Sequence, residues 1–200
     1  MSAHELSIGS SSEWYTPRHV FEAMGARFDL DVSSPEGECP ADDYCDNVFV
    51  SGGLDRPWHG FVWMNPPFGG RNAIVPWLEK FFDHGDGVAL CPDRTSAPWW
   101  QRFAPMADAI MFCSPKIHFI PGPGVVASSP GTGTTLFAAG KRGVWALENA
   151  RRAGLGLVLR AAITPTPATD TDESAAQVSQ PIREEQETSS IQSRPFGGSR

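Results

Sequence analysis

Three things are scarce in this 200-residue chain, and each scarcity excludes something. Long apolar runs are missing: no stretch approaches the roughly 20 residues a membrane helix needs, and the N-terminus has no apolar signal core. A soluble, cytoplasmic protein is expected. Cysteine is sparse. Cys39, Cys45, Cys91 and Cys113 form no C-x-x-C pair, and no histidine falls at zinc-finger spacing, so neither a disulfide framework nor a metal site is expected. Basic charge is also short, with 16 Lys and Arg against 23 Asp and Glu and a net charge of -7. An acidic chain argues against nucleic-acid binding over its whole surface, because phosphate neutralisation needs cations. A local basic face suffices, however, and Arg94, Arg102, Lys116, Lys141 and Arg142 are available for one.

Composition divides the chain. Residues 164–200 are rich in Thr, Ser, Gln, Glu and Pro and poor in large apolar side chains. Such a segment buries too little surface to offset its ordering entropy, and a disordered polar tail is expected. The tail holds six acidic side chains against three arginines, or -3 of the chain's -7, which leaves -4 on the rest. The expected organisation is a flexible N-terminus over residues 1–12, one domain over 13–163 and the tail over 164–200.

Within the domain, Thr16-Pro17 marks a helix start, with Thr16 as cap and Pro17 in the first helical position. Val20, Phe21 and Met24 form its apolar stripe, and Gly25 closes it. Phe28, Leu30 and Val32 alternate with Asp29 and Asp31, which predicts a strand over 27–33. Residues 61–64 are an apolar strand stopped by Asn65-Pro66-Pro67. Ile74, Trp77, Leu78, Phe81 and Phe82 recur at helical spacing. Further strands are expected at 87–91, 109–113, 117–120 and 134–139, a helix at 97–103, a long Gly/Pro/Ser loop at 121–133, and an element of undecided type at 144–163. Strands alternating with helices predict an α/β fold: a sheet mostly parallel, antiparallel toward its C-terminal strands, with helices on both faces. In such sheets ligands gather beyond the carboxyl ends of the strands, here the loops after Val32 and Met64.

The chemistry points to the second of these loops. An exocyclic amine on an aromatic ring is a poor nucleophile because its lone pair is delocalised. Two acceptors aimed at its two protons draw it toward tetrahedral geometry. The Asn65 side-chain oxygen and the Pro66 carbonyl make such a pair, the two prolines stiffen the turn, and Phe68 offers a face on which a flipped base stacks. Taken alone, Asn65-Pro66-Pro67-Phe68 is also a proline turn that closes a strand.

Asn65-Pro66-Pro67-Phe68 resembles the catalytic motif of amino-methyltransferases. More of the chain resembles the phage-type DNA N-6-adenine methyltransferases of the Dam group: Glu13-Trp14-Tyr15-Thr16-Pro17; Phe28-Asp29-Leu30-Asp31-Val32-Ser33; Gly53-Leu54-Asp55 with Trp58; residues 62–69; Pro92-Asp93-Arg94-Thr95 followed by Trp99-Trp100; and Lys116-Ile117-His118-Phe119. The resemblance runs in order over about residues 13–140. It implies a Rossmann-like methyltransferase sheet and transfer of a methyl group from S-adenosyl-L-methionine to the amine of a flipped adenine in double-stranded DNA. It implies that Asn65, Pro66, Pro67 and Phe68 are catalytic. Tyr15, Thr16 and Pro17 would line the methionine end of the cofactor. Asp31 would meet its ammonium group, Asp55 would lie near its ribose or adenine, and Ser33 and Asn65 would also belong to the cofactor site. Arg94, Thr95, Lys116 and His118 would face DNA. It also implies a phage- or prophage-encoded enzyme acting in a bacterial cytoplasm, with a role in protecting DNA from restriction. The small domain leaves no room for a separate recognition module, so a short or loosely read target is expected.

The chain departs from the wider methyltransferase pattern at one point: Ser33-Ser34-Pro35-Glu36-Gly37 stands where many have F-x-G-x-G. Two other readings stay open. Cytosine N4 and protein-glutamine methyltransferases use the same two-acceptor device. A catalytically silent, DNA-binding remnant of the fold would also keep much of this pattern.

Overall fold

A computed structural model describes residues 14–36, 39–67, 70, 72–122 and 131–160. The flexible N-terminus expected at 1–12, the tail at 164–200, Phe68 and most of the 121–133 loop lie outside the described residues.

The described residues open with a short strand, β1 (Trp14–Tyr15), and a helix, α1 (Arg18–Met24). α1 presents Val20, Phe21 and Met24 to the core and ends at Gly25, whose φ of 59° is a left-handed conformation that glycine adopts without strain. The helix start differs from the sequence reading. Pro17 is the cap residue, not the first helical one, and no side chain caps the helix. Thr16 is engaged elsewhere, as described below.

Then follow β2 (Leu30–Asp31), β3 (Val62–Met64), α2 (Val75–His84), β4 (Gly87–Pro92), α3 (Pro98–Phe103), β5 (Ala109–Cys113), β6 (Ile120–Pro121), β7 (Thr134–Ala139), α4 (Gly140–Arg152) and β8 (Gly156–Arg160). The undecided stretch after residue 144 is thus the greater part of a helix and then a strand. The strand expected at 117–120 is shorter and displaced: only Ile120 and Pro121 pair, antiparallel to β1, in a separate two-stranded ribbon.

Among the described residues, six strands form the main sheet in the order β2-β3-β4-β7-β5-β8. β2, β3 and β4 are parallel, whereas β7 is antiparallel to both of its neighbours and β8 is antiparallel to β5. The last two strands therefore run against the other four, and β7 carries the antiparallel pairing into the middle of the sheet. The segment after β2 extends the edge through parallel bridges from Phe28 to Cys45 and from Asp31 to Val48.

The period-2 alternation of buried strands sorts the core into two layers. Trp63, Val88, Leu90, Leu136 and Ala138 join Val20, Phe21 and Met24 of α1 and Ala146, Leu147 and Ala150 of α4 on one face. Val62, Met64, Ala89, Cys91, Phe137 and Ala139 join Leu78 and Phe81 of α2 and Trp99, Trp100 and Phe103 of α3 on the other. Trp99 and Trp100 are thus core side chains. Phe21 meets Trp63 edge-on with ring centroids 4.8 Å apart and stacks on Tyr44 at 4.9 Å. Its full burial contributes about 2–3 kcal/mol.

Arg142 at the start of α4 binds Asp86 (2.6 Å) and Asp29 (3.1 Å), residues that lead into β4 and β2. The Asp29 carboxylate also accepts the Phe61 backbone N–H at 2.6 Å, and this bond above all lowers its pKa. These contacts gather the amino ends of the parallel strands and leave their carboxyl ends open.

Candidate active site

A cleft of about 510 Å³ opens at the carboxyl ends of β2 and β3. Its walls come from Trp14–Thr16, the turn after Asp31, the 49–55 loop, Asn65-Pro66-Pro67 and Trp77. Of the residues singled out in the sequence, Tyr15, Thr16, Asp31, Ser33, Asp55, Asn65, Pro66 and Pro67 all line it. Pro17 does not; it caps α1. Phe68 lies outside the described residues.

Asn65 is fixed by three donated hydrogen bonds. Its backbone N–H donates to Ser33 Oγ at 3.1 Å. Its Nδ2 donates to the Trp14 carbonyl at 3.1 Å and to Thr16 Oγ1 at 3.2 Å. A backbone carbonyl only accepts, so the nitrogen of the amide must face Trp14, and the orientation of the side chain is settled. The other end of the amide is different. Asn65 Oδ1 is buried and has no hydrogen-bond partner among the described residues. A buried acceptor left unsatisfied costs about 1–3 kcal/mol, a debt that a donor-bearing ligand relieves.

Asp31 is also buried, at 3% exposure. Its Oδ1 accepts the Ser33 N–H at 2.9 Å, and among the described residues no cation pairs with it. Burial raises its pKa from the ordinary carboxylate range to about 7. The apparent alternation of this segment hid this: Asp31 shares its phase with the partly exposed Asp29 and is nevertheless buried.

The 53–56 loop is held from beneath. Lys80 on α2 donates to the carbonyls of Gly53 (3.1 Å), Leu54 (2.6 Å) and Arg56 (2.6 Å), and Trp58 Nε1 also donates to Gly53 O at 2.6 Å. Gly53 lies so close to β2 that a Cβ there would stand 2.0 Å from the Val32 carbonyl. The sequence reading missed Lys80. A lysine on an amphipathic helix gives no local sign that it binds carbonyls 24–27 residues away.

The residues expected to face DNA do not line this cleft. Arg94 and Thr95 are exposed just beyond β4, where Ala97 N–H donates to Arg94 O and Gln101 donates to Thr95 O. Lys116 and His118 line a second cavity of about 550 Å³ together with His19 and Glu22 of α1. Two of the candidate basic residues are neutralised: Arg102 pairs with Glu79, and Arg142 with Asp29 and Asp86. Arg94 makes no ion pair among the described residues, so the candidate basic face narrows.

Burial raises the pKa of all four cysteine thiols, which keeps them protonated and unreactive. Among the described residues no group of His, Cys, Asp and Glu is disposed to hold a metal ion, and no helix is long and apolar enough to cross a membrane.

Neither a search of curated proteins nor one of solved structures gives a significant match. A family model does match, over residues 6–138, and this stretch contains β1 to β6, nearly all of β7 and every cleft-lining residue. With most of its length matched in this way, the chain belongs to the DNA N-6-adenine-methyltransferase (Dam) family.

Proposed function

We propose that the protein transfers a methyl group from S-adenosyl-L-methionine to the N6 amine of an adenine flipped out of double-stranded DNA. The observation that carries this reading is the Asn65 amide: its nitrogen is held by two acceptors, while its oxygen is buried and without a partner. That is the state required of an acceptor waiting for an amine proton.

The cleft suits the cofactor. A volume of about 510 Å³ is of the size that takes a nucleoside joined to an amino acid. The buried, uncompensated Asp31 carboxylate calls for a cation, and the ammonium of the methionine moiety supplies one. Tyr15, Thr16 and Ser33 would surround that end, with Pro17 fixing the turn behind them. Asp55, exposed at the far rim, would reach the ribose or adenine. When bound, the cofactor supplies a methyl group on a cationic sulfur, with a neutral thioether as leaving group.

The protein's part is electrostatic and geometric. Asn65 Oδ1 and the Pro66 carbonyl would accept hydrogen bonds from the two N6 N–H groups and localise the lone pair for attack on the methyl carbon. With the bonding pair of the donor's C–S bond left on its sulfur, the methylated nitrogen held by these acceptors would shed its extra proton to water. No strongly basic side chain is needed. Proline in two successive positions keeps the turn from relaxing. Phe68 would stack on the extruded base. Arg94, Thr95, Lys116 and His118 would meet the DNA backbone outside the cleft, with the phosphates as their partners.

The test is incubation of the protein with unmethylated DNA and methyl-labelled cofactor, followed by separation of the nucleosides. Label in N6-methyladenine, reduced at least about 100-fold in Asn65→Ala, is the expected outcome. Label in N4-methylcytosine would move the substrate but keep the mechanism. Absence of both label and cofactor binding would leave only a silent member of the family.

A further inference from the structure

Asn65 needs more than its own motif to face the right way. An asparagine amide is nearly symmetric in shape, and a rotation of 180° about its last bond would present Nδ2, a donor, where the chemistry requires an acceptor. Nothing in Asn65-Pro66-Pro67 prevents that rotation. The structure prevents it from elsewhere: Trp14 O and Thr16 Oγ1, 51 and 49 residues earlier in the chain, both take hydrogen bonds from Nδ2. Thr16 is itself buried, at 3% exposure, and its backbone is set between β1 and the Pro17 cap of α1. Its hydroxyl is therefore not a swinging surface group.

We infer that Thr16 is a positioning residue for methyl transfer: its Oγ1, with the Trp14 carbonyl, holds the Asn65 amide so that Oδ1 is the end offered to the substrate amine. This rests on the methyltransferase reading above and departs from the simpler view of Thr16 as only a wall of the cofactor site. The two acceptors divide the task. The Trp14 carbonyl fixes which end of the amide turns inward. Thr16 takes the second Nδ2 proton and so fixes the rotation about the side chain. Without Thr16 Oγ1, one N–H of Asn65 is left to seek another partner, and the amine of the base is no longer drawn to a fixed point.

The test compares Thr16→Val, which keeps the shape and removes the acceptor, with Thr16→Ser, which keeps the acceptor. Rates are measured at saturating cofactor, cofactor affinity is measured separately by equilibrium dialysis, and the Asn65 side-chain amide is followed by NMR in labelled protein. Thr16→Val is expected to lower kcat by about tenfold to 100-fold. Its cofactor Kd should change by much less than kcat, with a displaced Asn65 amide resonance. Thr16→Ser should restore most of the rate and the resonance position.

Three results would overturn the inference: an unchanged kcat in Thr16→Val, a loss of rate matched by an equal loss of cofactor affinity, or a Thr16→Ser variant as impaired as Thr16→Val. Should Thr16→Val not fold, Thr16→Ala takes its place, judged by the same criteria. If the unaltered protein methylates no DNA, the proposed function fails. The amide resonance then still decides the clamp: a shift in Thr16→Val but not in Thr16→Ser upholds it, and no shift in either overturns it.

Discussion

Asp31 is a residue at which stability and binding pull in opposite directions. Its pKa in the folded protein is about 7, above its ordinary value of 3.8. The folded state thus holds a proton that the unfolded chain releases, and stability declines as pH rises from about 4 to about 7. Above that range the full cost of the buried charge is present; below about 4 it vanishes. Asp31→Asn should therefore raise the melting temperature of the ligand-free protein by several degrees at pH 8 and by less at pH 5. A thermal melt at the two pH values checks this, and equal shifts would argue that the carboxylate is not desolvated. Binding runs the other way. An ammonium group prefers the ionised carboxylate, so cofactor affinity should fall about tenfold per pH unit below 7, and Asp31→Asn should lose both the affinity and its pH dependence.

At the scale of elements, the cleft depends on a loop held to a helix. Lys80 donates to three carbonyls of the 53–56 segment and shares one of them, Gly53 O, with Trp58 Nε1. Lys80→Met should weaken cofactor binding about tenfold while moving the melting temperature little, as calorimetry and a melt would show. Gly53→Ala should be harsher, because its methyl group would overlap the Val32 carbonyl. A loss of about 2 kcal/mol or more is expected in a denaturant titration.

These contacts also mark where sequence reasoning stops. The strands at 87–91 and 134–139 and the helical stripe from Ile74 to Phe82 were legible, because each is marked by a local run or spacing of apolar side chains that the fold buries. So was the place of Asn65, in the loop at the carboxyl end of β3 where the cleft opens. Thr16 was singled out and does line the cleft, but its hydroxyl was misassigned locally. Thr-Pro before an apolar stripe is a cap signature, and only the fold shows that the hydroxyl serves Asn65 instead. β1 and β6 have two residues each, too few for any periodicity to register.

For the whole molecule the decisive quantity is charge. A net -7 protein approaches DNA against an unfavourable field, and the basic residues near the carboxyl ends of the strands must offset it locally. On the proposed reading, DNA affinity should fall steeply with salt. Arg94→Ala and Lys116→Ala should each reduce the slope of log affinity against log salt by about 0.9, with cofactor affinity unchanged. Fluorescence anisotropy across a salt series measures this, and unaltered slopes would remove both residues from the DNA face.

The pairing of β1 with β6 has a consequence for how the enzyme comes into being. Trp14 and Tyr15 leave the ribosome early, but the strand they pair with, Ile120–Pro121, follows roughly 100 residues later. Asn65 emerges between them and waits for both. A product cut short before Ile120 would display the whole proline motif and still lack the strand that seats the Trp14 carbonyl against it. On the proposed reading, prematurely terminated chains should be silent, and the ability to mark DNA should arrive only when nearly all of the matched domain has been made.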